Sequence, residues 1–445
     1  MRLAGRSVAS RAAELTGLGD AVLVLAGKGH NGDDACYAAE SELLSGREVR
    51  LLRVMDPESA LAEAVSLLRT RWNLIVDGLF GIGLNRPLSA SWIELIQQVN
   101  LSGLPILAVD VPSGLNAETG EPMGEAIRAI ETLTLGAVKE GMLKTKAAAF
   151  VGRLRVAADI GLVPCPFKTG INWIEAEDFS RFPPPRAVAG HKGTFGHLGL
   201  VAGSIGYHGA SVLAARGAQR AQPGLITLFT SEAVYHPVAG QLQAVMVRPW
   251  SAGMELPESC SAFAMGPGLA SPDVPSEIKA MIGRLWKESA LPVIADASAL
   301  EWLPKGAVPE NAVRVMTPHP GEAARLLETT TADIQADRFQ AVRELSRRWD
   351  NCQVVLKGHQ TIVGRDGDDL FVNSSGNPYL AQGGSGDLLT GFLGGLLAQP
   401  ALQTDAGRAI RYAVWQHGAA ADELLARRPN WTVEDLAEVL GSIRP

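Results

Sequence analysis

Short apolar runs alternate with longer amphipathic stretches through the first third of the chain. Ala21–Ala26, Val49–Val54 (which carries Arg50 and Arg53), Leu74–Phe80 and Ile106–Val111 are too short for helices and read as buried strands. Between them, Asp34–Ser45, Ser59–Arg71 and Ala90–Val99 carry helical periodicity. This alternation predicts a parallel sheet with helices on both faces, an αβα sandwich ending near Ala157–Gly161. The pattern then weakens between Pro164-Cys165-Pro166 and Pro183-Pro184-Pro185, which predicts a linker over residues 163–185. It resumes with an apolar strand in Gly196–Gly203, a long helix over His208–Gln222, and strands at Leu225–Thr230, Ala262–Met265, Val293–Ala295, Val313–Met316 and Val354–Lys357. The C-terminal part is almost entirely helical in pattern. Two α/β domains are therefore expected, over residues 1–162 and 186–445, without short internal repeats.

Composition narrows the function classes. A chain of 445 residues can bury large cores without disulfides or metals. A formal charge of −7 and the lack of any basic run give no electrostatic reason to expect nucleic acid. The four cysteines, Cys36, Cys165, Cys260 and Cys352, are scattered and form no CxxC pair, so they read as buried free thiols in a reducing compartment. The start Met1–Arg6 lacks the apolar core of a signal peptide. The longest charge-free apolar stretch, Leu388–Thr404, is broken by Gly, Gln and Pro, so no membrane partner is expected and the cytoplasm is the expected compartment.

Gly27-Lys28-Gly29-His30-Asn31-Gly32 follows the first strand and formally matches GxGxxG, with Asp56 near the position of a ribose-binding acid. An oxidoreductase is one reading of it. Asp33 and Asp34 argue otherwise, because carboxylates at a helix start repel the pyrophosphate that the helix N-terminus attracts. They suit a hydroxyl-rich ligand or a cation. Asp77 ends the third strand, and Asp110 ends the fourth, before Val111-Pro112-Ser113-Gly114. Ligands of open α/β sheets bind beyond the carboxyl ends of the strands. Asn31, Asp34, Asp77, Asp110 and Ser113 are therefore expected to face one crevice. Any one of these acids is equally well a helix cap, but their convergence favours a site, and oxygen donors suit K⁺ or Mg²⁺ rather than zinc.

The second domain carries the sharper signal. Gly383-Gly384-Ser385-Gly386-Asp387 precedes an apolar helix. Its glycines free successive N–H groups to face an anion, and the helix dipole adds to that. Asp387, in the first turn, can reach a hydroxyl beside a bound phosphate, the placement of a base that activates an alcohol toward a phosphoryl group. Lys357-Gly358-His359-Gln360-Thr361 and Gly266-Pro267-Gly268 each follow a strand, and His208-Gly209-Ala210 opens a helix. His319 would more often be structural, but Pro320 and Gly321 place it at a helix start facing the crevice.

Together with His191–Gly196, these motifs resemble the bifunctional NAD(P)H-hydrate repair enzymes, over essentially the whole chain. The resemblance implies a Rossmann-like NAD(P)H-hydrate epimerase domain followed by a ribokinase-like, ADP-dependent (S)-NAD(P)H-hydrate dehydratase domain, in a homo-oligomer. It implies Asp387 as base, Gly384, Ser385 and Gly386 at the nucleotide phosphate, Lys357, Gly358, His359, Gln360 and Thr361 at ADP accompanied by Mg²⁺, and Ala210, Gly268 and His319 at the hydrate. For the epimerase it implies K⁺ on Asn31, Asp77 and Ser113, and a hydrate site of His30, Asn31, Gly32, Asp33 and Asp34 with Gly81-Ile82-Gly83-Leu84-Asn85-Arg86-Pro87. Asp110 and Lys139, in Val138-Lys139-Glu140-Gly141, would supply the acid–base chemistry. The first loop departs from the family's usual Gly-Asn-Asn-Gly-Gly-Asp-Gly: Asp33 and Ala35 stand for two of its glycines, which would narrow the pocket or tighten the helix start. The residues alone leave one alternative, a small-molecule kinase of the same superfamily joined to a non-catalytic Rossmann-like module.

Overall fold

A computed structural model describes residues 1–163, 169–251 and 253–445. They form two compact units, Met1–Phe167 and Lys168–Pro445. The first runs α1 (Arg2–Leu15), β1 (Ala21–Ala26), α2 (His30–Ala39), β2 (Glu48–Arg53), α3 (Pro57–Leu68), β3 (Leu74–Gly78), α4 (Ala90–Leu101), β4 (Ile106–Val109), β5 (Glu131–Leu135), α5 (Ala148–Val151) and β6 (Arg153–Ala157). Its sheet is parallel throughout, in the order β2-β1-β3-β4-β5-β6. Every residue of β1 and β3 is buried, because separate apolar clusters cover the two faces. The chain leaves β1 toward β2 and returns past it to β3, so the loops after β1 and β3 flank a topological switch point, where such sheets bind ligands.

Helix α2 begins at His30, not at the expected Asp34, and ends at Ala39. Gly29, at φ +87°, turns the chain into the helix. A side chain on Gly32 would overlap the Gly27 carbonyl, and one on Gly27 would overlap that of Leu79, so these two glycines serve close packing at the switch point.

The second unit runs β7 (Ile171–Ile174), β8 (His197–Val201), α6 (His208–Ala221), β9 (Leu225–Thr230), α7 (Glu232–Ala239), β10 (Met246–Pro249), β11 (Ala262–Met265), α8 (Ser276–Glu288), β12 (Val293–Ala295), β13 (Arg314–Met316), α9 (Pro320–Leu327), α10 (Thr331–Ala336), α11 (Arg338–Arg348), β14 (Gln353–Leu356), β15 (Ile362–Gly364), β16 (Leu370–Asn373), α12 (Ser385–Leu397), α13 (Pro400–Gln403), α14 (Ala406–Arg427) and α15 (Val433–Val439). The sheet order is β10-β9-β8-β11-β12-β13-β14-β15-β16-β7, with β15 antiparallel to both of its neighbours. Its switch point lies between β8 and β11.

Of the stretch expected as a linker, residues 164–168 lie outside the described residues, while Ile171–Ile174 form a strand and Ala176–Phe179 a helical turn. β7 pairs in parallel with β16, and Phe179 packs edge-on against Tyr412. The proline spacing misled because β7 is a four-residue edge strand whose partner lies almost 200 positions away (Asn172 opposite Phe371). Cys260 and Cys352 are buried free thiols, Cys36 is partly exposed, and Cys165 falls outside the described residues. Among the described residues, no helix is long and apolar enough to cross a membrane. Most of Leu388–Thr404, from Leu388 to Ala398, is instead core: α12 lies against α6 through Gly217, Gly391 and Gly395, where any side chain would meet the opposite helix's backbone. This close approach positions the glycine loop at the start of α12.

Candidate active sites at the carboxyl ends of the two sheets

In the first unit, the loops after β1, β3 and β4 meet. Asn31, in the first turn of α2, donates from Nδ2 to the Phe80 carbonyl at 2.7 Å. Ser113 accepts the Phe80 N–H at 2.8 Å and returns its hydroxyl to the Phe80 carbonyl at 3.3 Å. The Asp77 carboxylate is fully buried and accepts the N–H groups of Ser113 (2.8 Å) and Leu79 (3.2 Å). Burial pushes its carboxyl up to about 6 against those hydrogen bonds. The expected oxygen donors thus share one locus around Phe80, and a monovalent cation beside them would favour the ionised form of Asp77.

Asp110 sits at φ +65°, a left-handed conformation rare outside glycine and concentrated at functional sites. Its Oδ1 accepts the Leu135 N–H at 2.9 Å and pairs with the Lys139 ammonium. Lys139 also donates to Thr134 Oγ1 at 2.8 Å and the Leu135 carbonyl at 2.9 Å. Asp34 is buried, and its Oδ1 accepts no hydrogen bond but lies 3.9 Å from the N-terminal amine. Burial raises its carboxyl, the N-terminal amine opposes that, and Asp110 adds to it, which places the two acids within each other's field. The departures from the family loop are accommodated: Ala35 fills the space opposite Gly78, tightening the contact of α2 with β3, while Asp33 turns outward to Arg53 at 3.5 Å. His30 and the segment from Ile82 to Pro87, save Leu84, are exposed, and Gly81 packs against Asn31.

In the second unit, the loops after β8 and β11 are tied across the switch point. Ser204 donates to the Gly268 carbonyl at 2.6 Å, and Gly203 N–H to the Pro267 carbonyl at 2.9 Å. Gly268 abuts Ala210 and Tyr207, so a side chain there would collide with both. Gly384 is the N-cap of α12 at φ +94°, and Gly383 faces open space, leaving the cradle clear for an anion. Ser385 is held from below by His417, whose Nε2 lies 3.0 Å from the Ser385 carbonyl and whose ring burial pushes down to about 4, keeping it neutral.

Asp387 follows in the first turn. Burial pushes its carboxyl up to about 6, the Asp296 and Glu322 carboxylates add to this, and Lys357 opposes it. A value there suits a base working near neutral pH. His319 caps α9: its Nδ1 accepts the N–H groups of Gly321 (3.0 Å) and Glu322 (3.2 Å), while Glu322 Oε2 accepts the His319 N–H at 2.7 Å. With Nδ1 accepting, the other ring nitrogen, Nε2, lies 3.5 Å from Glu322 Oε1 on a half-exposed side chain. The structure shows His319 as the cap of α9.

Lys357 is expected at the nucleotide. Its ammonium turns inward to Asp296 Oδ1 at 2.7 Å. Gly358, Gln360 and Thr361 form the loop itself: Gly358 at φ +134°, Gln360 at +52°, and Thr361 Oγ1 bonded to the Gly358 carbonyl at 3.0 Å. His359 lies exposed on it. Beneath lies the buried Arg338, donating to the carbonyls of Leu356 (3.2 Å), His359 and Gln360 (3.2 Å). Arg338, Asp296 and His417 were not singled out from sequence. Asp296 alone carried a signal, as an acid ending a parallel strand.

Comparison with known proteins finds relatives over most of the chain. A family model described as NAD(P)H-hydrate dehydratase matches residues 198–443, and one described as YjeF-related protein N-terminus matches residues 53–141. The chain is 36% identical to the bifunctional NAD(P)H-hydrate repair enzyme Nnr of Gloeobacter violaceus, over 91% of this chain and 84% of that one. It is 35% identical to the enzyme of the same name from Escherichia coli K12, over 91% and 81%. Among solved structures, the ADP/ATP-dependent NAD(P)H-hydrate dehydratase of Bacillus subtilis, co-crystallized with ATP and Mg²⁺, matches with a TM-score of 0.54 at 30% identity, covering 61% of this chain and 96% of that one. A ribokinase-like superfamily protein of Enterococcus faecalis, 22% identical with a TM-score of 0.53 over 63% of this chain and 97% of that one, shares the fold. The chain belongs to the family of bifunctional NAD(P)H-hydrate repair enzymes.

Proposed function

We propose that the protein restores hydrated NADH and NADPH: the first unit interconverts the R and S hydrates, and the second dehydrates the S form at the expense of ADP. The observation that carries the dehydratase assignment is Asp387, a carboxyl pushed up to about 6 at the mouth of an open glycine cradle. In this reading the glycine N–H groups bind the nucleotide phosphates, and Asp387 takes the proton of the hydrate's hydroxyl as its oxygen attacks the terminal phosphorus of ADP. The bond from that phosphorus to AMP breaks. The C–O bond to the new phosphate then breaks with loss of a ring proton, releasing phosphate and restoring the dihydronicotinamide. Magnesium fits as an ion held mainly by nucleotide phosphates and water, where it supplies charge neutralisation. Ala210, Gly268 and His319 would line the hydrate site, and Gly358–Thr361 the nucleotide site.

In the first unit, the Asp110–Lys139 pair is the acid–base centre, and its left-handed aspartate is the supporting observation. Asn31, Asp77 and Ser113 would hold potassium, whose fixed positive charge would steady negative charge developing on the hydrate. Family membership favours these activities over the kinase alternative. Separated R and S hydrates, incubated with ADP or ATP, test both by recovery of dihydronicotinamide absorbance. Turnover of S with ADP, and of R only through S, is expected. No recovery from S would refute the dehydratase reading.

A further inference from the structure

Asp296, just beyond β12, is 1% exposed and reached by a constrained path. Its N–H bonds to the Met265 carbonyl at 3.0 Å, and the next residue, Ala297, takes φ +47°, a left-handed strain of about 1–2 kcal/mol for a non-glycine residue. Gly266, at φ +123°, has no room for a side chain because the Asp296 carbonyl lies against it. The carboxylate so placed joins four elements. Oδ1 accepts the Lys357 ammonium from the end of β14 at 2.7 Å, and Oδ2 accepts the Thr390 hydroxyl at 2.7 Å, one turn along α12 from Asp387. Thr317, following β13, donates its hydroxyl to the Ala295 carbonyl at 3.4 Å and helps hold the Asp296 carboxyl down. The Lys357 ammonium is 3.9 Å from Glu322 Oε2, and 3.4 Å from where a side chain on Gly386 would begin.

Fixing these charges in the interior costs several kcal/mol of desolvation per ion, so a purely structural joint would be served as well by apolar side chains. We propose that Asp296 and Lys357 are a positioning pair for the dehydration: Asp296 holds the Lys357 ammonium beneath Gly386, and their opposite charges together govern how readily Asp387 accepts the hydroxyl proton. The proposal rests on Asp387 being the base. The charged groups facing Asp387 are Asp296 from β12, Lys357 from β14 and Glu322 from α9; His417, from α14 below Ser385, is neutral. Lys357 favours the ionised base, while Asp296 and Glu322 oppose it. The pair therefore keeps Asp387 basic without letting two carboxylates prevent its ionisation.

The test is the pH profile of kcat/KM for S-NADHX with ADP, measured on the full chain as wild type, Lys357→Met, Asp296→Asn and the double variant. Lys357→Met should raise the acid limb by on the order of 1 pH unit, Asp296→Asn should lower it by a similar amount, and the double variant should return it close to wild type. Where Asp296→Asn alone does not accumulate, because it leaves an unpaired buried ammonium, Lys357→Met against the double variant carries the comparison. Thermal stabilisation by ADP confirms a folded nucleotide site in each. Loss of rate with the acid limb unmoved in both single variants would reduce the pair to a structural joint and overturn the proposal. Retained turnover in Asp387→Asn would instead remove the base assignment on which it stands.

Discussion

Replacing Gly391 with alanine tests how the second unit holds its base. Helices α6 and α12 meet through small residues, and a Cβ on Gly391 would overlap the Ala214 carbonyl oxygen and stand 2.6 Å from its carbon, against the 3.4 Å at which ordinary contact begins. Both atoms are backbone, so no rotamer change relieves the overlap and the helices must part by roughly 1 Å. Alanine improves helix propensity by about 1 kcal/mol. Overpacking a filled interface costs about 1–3 kcal/mol and occasionally more, and a backbone clash belongs at the upper end, so the overlap wins. Asp387 lies one turn upstream on the same helix, and a misplacement of about 1 Å at a reacting group can cost roughly 10²-fold in rate. Thermal unfolding of the full chain, dehydration of the S hydrate and R-to-S conversion should be measured together. The unfolding transition of the second unit should fall, dehydration should drop by roughly 10²-fold, and epimerisation should be untouched. Gly407→Ala is the control, since its Cβ would meet only the flexible end of Arg411 at 3.3 Å, and it should be neutral or slightly stabilising. Wild-type unfolding and dehydration in Gly391→Ala would refute the packing described.

Asp387→Asn should lower dehydration by roughly 10²–10⁴-fold while leaving ADP binding measurable by calorimetry. The same substitution should raise the thermal stability of the second unit at pH 7.5. A carboxyl raised on folding contributes stability below its unfolded value and loses it as pH rises through about 6, and the amide escapes that loss. In the wild type, kcat/KM for dehydration should fall tenfold per pH unit below about 6, and a flat profile down to pH 5 would exclude Asp387 as the titrating base. Lys139→Met should abolish R-to-S conversion and spare dehydration, checked by supplying each hydrate separately. Replacing potassium with tetramethylammonium should slow epimerisation alone.

The strand framework was legible because burial on both faces leaves continuous apolar runs: β1, β9, β11 and β12 begin and end where the pattern places them. The elements that escaped have weak patterns for definite reasons. Helix α1 buries Ala4, Gly5, Val8, Ala9 and Ala12, a face of mostly small side chains with little contrast to its polar side. The strands β7, β15 and β16 are three or four residues long, and β7 is half-buried, so neither length nor alternation marks them. The start of α2 was hidden by its own composition, since His30-Asn31-Gly32-Asp33 has loop residues throughout, and only the left-handed turn at Gly29 forces the helix there.

The sites divide in the same way. The residues proposed to touch a ligand sit mostly in glycine-rich turns after strands, and such turns can be read in one dimension. Residues that hold them in place do not. Arg338 is spent on three carbonyls of the Lys357–Thr361 loop and the strand before it, and Asp296 on a lysine 61 positions away and a threonine 94 positions away. Nothing in the neighbouring sequence announces partners at that distance. Lys357 illustrates the consequence. A lysine after a strand, beside a glycine, reads as a phosphate ligand, and only the buried carboxylate beneath it redirects the charge inward. The motif therefore marks the loop, while the direction its lysine takes is set by a residue outside the motif.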